Sequence, residues 1–263
     1  MNRMLRLVLL LLAPSLSVDA QWLGAQSLGE RVTASDGLVQ VVYPSRPGAC
    51  GDGQGIIGNV LGRSSYYSGN AQFSGRGDWS DRACVHGPAR VVAGVVGHNV
   101  TRLRVYVGPV PAASPDTRTI AVSASDAAAW LGEIATRATG RVASDALLPL
   151  IIADAPDPWP LLLRLARDDN RPRDVRRSAL TWLANGVNDH LGIADSRDES
   201  DDDQMRTQAV FVLSQRPKAE SVPELTELAR SAKNPAARRS AIFWLGQTGD
   251  PRAADVFAEL LRQ

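Results

Sequence analysis

Lysine is almost missing from this chain. Lys218 and Lys233 are the only two, and arginine carries nearly all of the positive charge. The formal net charge is +1, so neither sign is in excess. That balance excludes the electrostatic footprint of a nucleic-acid binder or of a ligand for anionic membranes. Histidine is equally scarce. His86, His98 and His190 are far apart, and none stands in an H-E-x-x-H frame. There is no G-x-S-x-G elbow and no C-x-x-C pair. The glycine-rich stretch with Gly48, Gly51, Gly53, Gly55 and Gly58 lacks the lysine of a P-loop and the frame of a dinucleotide fingerprint. Nothing here implies a metal or a cofactor, and no nucleophile–base pair stands out, so an enzyme is not expected. Beyond the first twenty residues, no run is apolar enough to span a bilayer.

The first twenty residues read differently. Arg3 and Arg6 precede an apolar core from Leu7 to Leu12, and Val18-Asp19-Ala20 has the short residues of a cleavage site. Residues 1–20 are read as a signal peptide, with Gln21 opening the mature chain. The expected location is periplasmic or secreted, in a bacterium, with no membrane insertion after cleavage. An oxidising compartment changes the meaning of Cys50 and Cys84, the only cysteines. Two such cysteines usually pair, and a disulfide is expected over the alternative of two free thiols.

The remainder falls into two halves. Residues 21–112 read as strands and turns. Val39 to Tyr43 is β-branched and stops at Pro44. Arg90–Val96 and Val100–Val107 are two further runs, separated by the turn chemistry of Gly97-His98-Asn99. In the second run Thr101, Leu103, Val105 and Val107 alternate with Arg102, Arg104 and Tyr106, the period of a half-buried strand. A small, mainly antiparallel domain follows from this. Residues 113–125 are read as a linker, and 126–263 as helical throughout, with starts at Ser125-Asp126, Ser144-Asp145, Asp157-Pro158, Asp174 and Ser221.

The helical half repeats itself. Val175–Leu183, Met205–Leu213 and Ala237–Leu245 align as apolar, Arg, polar, polar, Ala, aliphatic, variable, apolar, Leu. Their alanines, Ala179, Ala209 and Ala241, are roughly thirty residues apart, the period of helix-pair repeats, and are expected to be buried where helices approach closely. Val142–Leu150, with Ala146, is a weaker first copy. Trp159–Arg167 and Val222–Arg230 are copies of a second helix. Each unit is therefore a helix pair that must stack on its neighbours to bury its apolar face. Between Ala184 and Gln204 the expected partner helix is short, shifted or missing, and an acidic run from Asp195 to Asp203 stands there. That run lacks EF-hand spacing, so a solvated loop is favoured over a calcium site.

The segment Ala237–Ala253, with its G-x-x-G-D-P-x-A ending from Gly246, resembles the B helix of HEAT-like repeats, including the short bacterial type of phycobilin-lyase relatives. The resemblance covers roughly Asp126 to Gln263 and implies an α-solenoid used for protein–protein contact. The fold class expected is α+β in two domains, a β domain and then a solenoid of HEAT-like helix pairs. The expected function is an exported interaction scaffold with a protein partner. The alternative is an enzyme or lyase-like ligand handler with a site between the two halves, which the resemblance alone suggests.

Candidate contact residues follow from the repeat alignment. Phe211 and Phe243 fill the slot that Thr181 fills in the first unit, and Arg177 and Arg239 lie four residues before it on the same helix face. Aromatic rings beside arginines on an exposed face compose an interface hot spot. The repeated Arg176, Arg206 and Arg238 are expected to be structural, bonding carbonyls and carboxylates of neighbouring helices.

Overall fold

The computed structural model describes residues 26–58, 60, 66–68, 71–73, 84–110, 116–193 and 200–263. The signal-peptide reading, the start of the linker and the start of the acidic run lie outside these residues.

The first described elements are α1 (Leu28–Thr33) and β1 (Gly37–Tyr43), followed by the short strands β2 (Cys50–Gly51), β3 (Ile56–Gly58), β4 (Tyr66–Ser68), β5 (Ala71–Phe73) and β6 (Val85–His86). Three longer strands come next: β7 (Ala89–Val96), β8 (Asn99–Val107) and β9 (Thr117–Ala121). The principal sheet has the order β8-β7-β1-β9. It is antiparallel except where β9 runs parallel to β1. The expected hairpin is β7–β8. Gly97 and His98 form its turn with φ of 56° and 58°, the doubly left-handed turn that matches strand twist. Both Asp36 carboxylate oxygens accept from this turn, from the Gly97 N–H at 2.9 Å and the His98 N–H at 3.0 Å. These bonds hold the Asp36 carboxyl below the usual aspartate range.

Alternation along the strands produces the core. Val39, Val41 and Tyr43 of β1, Val91 and Ala93 of β7, and Leu103, Val105 and Val107 of β8 are all buried on one face. Thr101, placed with them by the alternation, is exposed at the strand's outer end. The opposite face carries Arg90, which is buried. Its guanidinium donates to the Gln40 side chain at 3.0 Å and to the Gly53 carbonyl, and stacks on the Tyr106 ring. No carboxylate is among these partners, and burial pushes the Arg90 pKa down. The short strands form a second sheet, β5-β4-β3-β2-β6. There Cys50 and Cys84 are joined as a disulfide, with Cα atoms 5.1 Å apart.

The helices are α2 (Ala124–Arg137), α3 (Arg141–Asp145), α4 (Leu147–Ile152), α5 (Trp159–Arg167), α6 (Arg173–His190), α7 (Asp201–Ser214), α8 (Lys218–Ser231), α9 (Pro235–Gln247) and α10 (Arg252–Leu260). Several starts differ from the sequence expectation. Ser123 caps α2, accepting from the Asp126 N–H. Ser144-Asp145 ends α3 rather than starting a helix, and Ser221 lies buried inside α8. Prolines open α6 and α8, where a missing N–H costs nothing.

The boundary between the halves also differs from the reading of 113–125 as a linker. β9 lies within that stretch and completes the sheet. Helices α2, α3 and α4 then cover the buried sheet face, touching β1, β8 and β7. The Tyr43 hydroxyl donates to the Pro149 carbonyl at 3.0 Å, and Arg46 N–H to the Ile152 carbonyl at 2.7 Å. One hydrophobic core runs from Leu28 to Leu260. The weak first repeat copy is accordingly not one helix. The chain turns at Ala146, between α3 and α4, because both helices are shaped to the sheet.

Candidate protein-interaction face

The C-terminal helices build a layered stack. α5 packs along α6, and α8 along α9. α9 touches both α6 and α7. α10 touches α5, α6 and α8, with Asp255 paired to Arg167 at 2.7 Å and Glu259 to Arg230 at 2.6 Å. The helix expected between Ala184 and Gln204 is absent among the described residues. Instead α6 continues to His190.

Close approach of α6 and α9 has a steric cause. A Cβ at Gly246 would stand 2.8 Å from the Ala184 Cβ and 3.0 Å from the Leu180 carbonyl oxygen. α7 and α9 run in the same direction. Asn234, which caps α9, donates to Asp203 at the start of α7 at 2.7 Å, and further along Phe211 meets Trp244. Asp203 is held below the usual aspartate range, chiefly by Asn234.

The repeat alignment assigned alanine to the tight-packing slot. Ala179 and Ala241 are fully buried, as expected. Ala209 is exposed, which corrects that expectation. The reason is topological. The slot on α7 faces away from α9, towards the place a preceding unit would take, and α6 packs on α9 instead.

The four candidate contact residues have different fates. Phe211 on α7 and Phe243 on α9 are half-buried. Both meet Trp244, with ring centroids 5.0 Å apart in each case. Arg177 on α6 is exposed and lies beside Gly249. Arg239 is only 8% exposed, so it is part of the packed interior rather than of the open face. Between Arg177 and Phe243, the Gln247 amide donates to the Thr181 hydroxyl at 3.3 Å, tying α6 to α9. The face therefore reads Arg177, Thr181, Gln247, Phe243, Trp244 and Phe211 across three helices. Trp244 was missed because the alignment scores its slot as merely apolar. The second of two adjacent aromatics was the available signal.

Two of the three repeated arginines are structural in geometry: Arg176 pairs with Asp169 in the α5–α6 turn, and Arg238 donates to the Ala229 carbonyl of α8 at 2.8 Å. Arg206 instead forms an exposed pair with Asp202 of its own helix at 2.8 Å, which corrects the expectation there.

Two clefts lie in the N-terminal half. One, of about 690 Å³, is lined by Tyr43, Ser45, Arg46, His86 and Val122 among others. Two of its polar groups are engaged: the Ser45 hydroxyl donates to the Gly87 carbonyl at 2.7 Å, and His86 Nδ1 lies 3.0 Å from the Ala49 carbonyl. The other, of about 770 Å³, lies between α1, the β7–β8 turn and α2. No group of three metal-ligating side chains is found among the described residues. No described helix is long and apolar enough to cross a membrane.

Comparison with known families places the C-terminal part. Residues 193–263 match the family model of HEAT repeats. That match spans α7 to α10, where α7 and α9 stack in the repeat register. The HEAT-like reading thus holds for this region, beside a β-rich N-terminal part. No curated protein and no solved structure matches the chain.

Proposed function

We propose that this chain is an exported, non-enzymatic scaffold that holds a protein partner on the α6–α9–α7 face. HEAT repeats commonly mediate protein–protein contact, and the match at 193–263 supports that class of function. The observation that carries the reading is the ring cluster Phe211–Trp244–Phe243. Three aromatics meet on one face, yet Phe211, Phe243 and Trp244 all keep part of their surface in water. A half-exposed aromatic cluster beside an exposed arginine is what a protein hot spot requires before binding. Export rests on the N-terminal pattern of residues 1–20, and the Cys50–Cys84 pair fits an oxidising compartment.

The test is capture from the bacterial envelope fraction with wild type, Phe243→Ala and Arg177→Glu. Truncating a hot-spot ring lowers affinity about thirtyfold, so Phe243→Ala should lose the captured protein. Its melting temperature should fall only by a few degrees, because the ring is half in water already. Undiminished capture by both variants would remove this face from consideration. N-terminal sequencing of the mature protein should begin at Gln21.

A further inference from the structure

Helix α7 carries apolar residues on both sides. Inward, Val210 is buried and Phe211 and Leu213 are half-buried against the stack. Outward, Met205 is 68% and Val212 57% exposed, and Ala209 between them is exposed too. A helix with two apolar sides has two partners, and the described structure supplies one. Scattered exposed apolar residues are ordinary. These are not scattered. Met205 and Val212 are one heptad apart, with Ala209 in the same line.

The position in the stack explains the open side. Among the described residues α7 is the last helix of its layer, since α9 lies on its inner flank and α6 lies beyond α9. The end of a repeat stack normally presents a polar capping surface. This one presents Met205 and Val212.

The line continues into charge at both ends. Asp202 precedes Met205 on the helix, and Arg216 follows Val212 in the turn just past the Gln215 cap, so the line reads Asp202, Met205, Ala209, Val212, Arg216 at spacings of three and four. It is self-complementary. Around a twofold axis through Ala209, an antiparallel second helix places its Arg216 opposite Asp202 and its Asp202 opposite Arg216. The small Ala209 side chains sit at the crossing, where helix backbones approach most closely. A parallel pair would oppose like charges instead.

We infer that α7 is a dimerisation helix, whose open side takes a second copy of this chain in an antiparallel, twofold arrangement. Asp202 and Arg216 now hold exposed partners, Arg206 at 2.8 Å and Glu224 at 3.6 Å. Exposed pairs of this kind are weak, so exchanging them across an interface costs little. A single helix pair is a small interface, which makes the dimer reversible and concentration-dependent.

The test is sedimentation equilibrium of the purified chain over a concentration series. Wild type should shift from monomer to dimer, and Val212→Glu should stay monomeric with an unchanged melting temperature. Asp202→Arg and Arg216→Asp should each weaken self-association about tenfold or more. An equimolar mixture of those two variants should recover association about as tight as wild type, because each facing pair again joins opposite charges. Wild type that remains monomeric at about 1 mM overturns the inference. So does a mixture that associates no better than its separate components, which excludes the antiparallel geometry. Neither result bears on the partner face, which lies on other residues.

Discussion

Tyr43 is the residue that most directly joins the sheet to the helices. Its ring is buried in the shared core, and its hydroxyl donates to Pro149. Replacing it by phenylalanine removes one of two hydrogen bonds to that carbonyl, which keeps the Ala153 N–H, and should cost about 1 kcal/mol in denaturant unfolding. Burial also pushes the Tyr43 phenol well above the ordinary tyrosine range. The sign follows directly. Below about pH 10 the tyrosine is neutral in both states, and its contribution to stability is complete. Above that, the unfolded chain releases the proton and the folded chain keeps it, so stability falls as pH rises. The slope is about 1.4 kcal/mol per pH unit for one such group. Tyr43→Phe should flatten the alkaline limb of the stability profile by that amount. An identical limb in wild type and variant would mean that other groups govern it.

Alanine and glycine decide how closely the helices approach. Gly246 fits against Ala184 and Leu180 only because it has no Cβ, so Gly246→Ala should cost about 1–3 kcal/mol by overpacking. The same penalty is expected of Ala179→Leu and Ala241→Leu, both at fully buried positions. Ala209→Leu should leave the melting temperature unchanged, because its methyl points to solvent in the monomer. Thermal melts of these four variants at low protein concentration separate two arrangements. A large loss for Ala209→Leu would mean that α7 stacks between α6 and α9, in sequence order. The three aligned segments were legible as helices of one type. Their spatial order was not, because equal spacing states which face is sticky and not which neighbour meets it.

At the scale of the molecule, sheet and helices share one core. Tyr43, Val91 and Val105 lie in the same cluster as Leu147, Ile151 and Leu183. Residues 126–263 expressed alone would expose Leu147, Leu150 and Ile151, which are buried in the full chain. Such a fragment should melt without cooperativity and bind a hydrophobic dye. Sharp, cooperative unfolding of the fragment would show that the helical half folds on its own.

The sequence by itself determined the local structure and the chemistry of each half. Strand alternation placed Leu103, Val105 and Val107 inward, and the lone cysteine pair is bonded. The Gly246–Gly249 ending marked a helix stop, and the aligned segments marked HEAT-like helices. Apart from the disulfide, which follows from compartment and cysteine count, these are short-range signals, written in periodicity and in backbone preference. Only the tertiary structure decided the rest. It returned β9 to the sheet through a stretch that reads as linker, extended α6 across the place of a missing helix, and buried Arg239 while leaving Ala209 in water. Each depends on which distant surface covers a given face. A helix face carries the same residues whether it meets a neighbour, a second chain or solvent, and only packing distinguishes them.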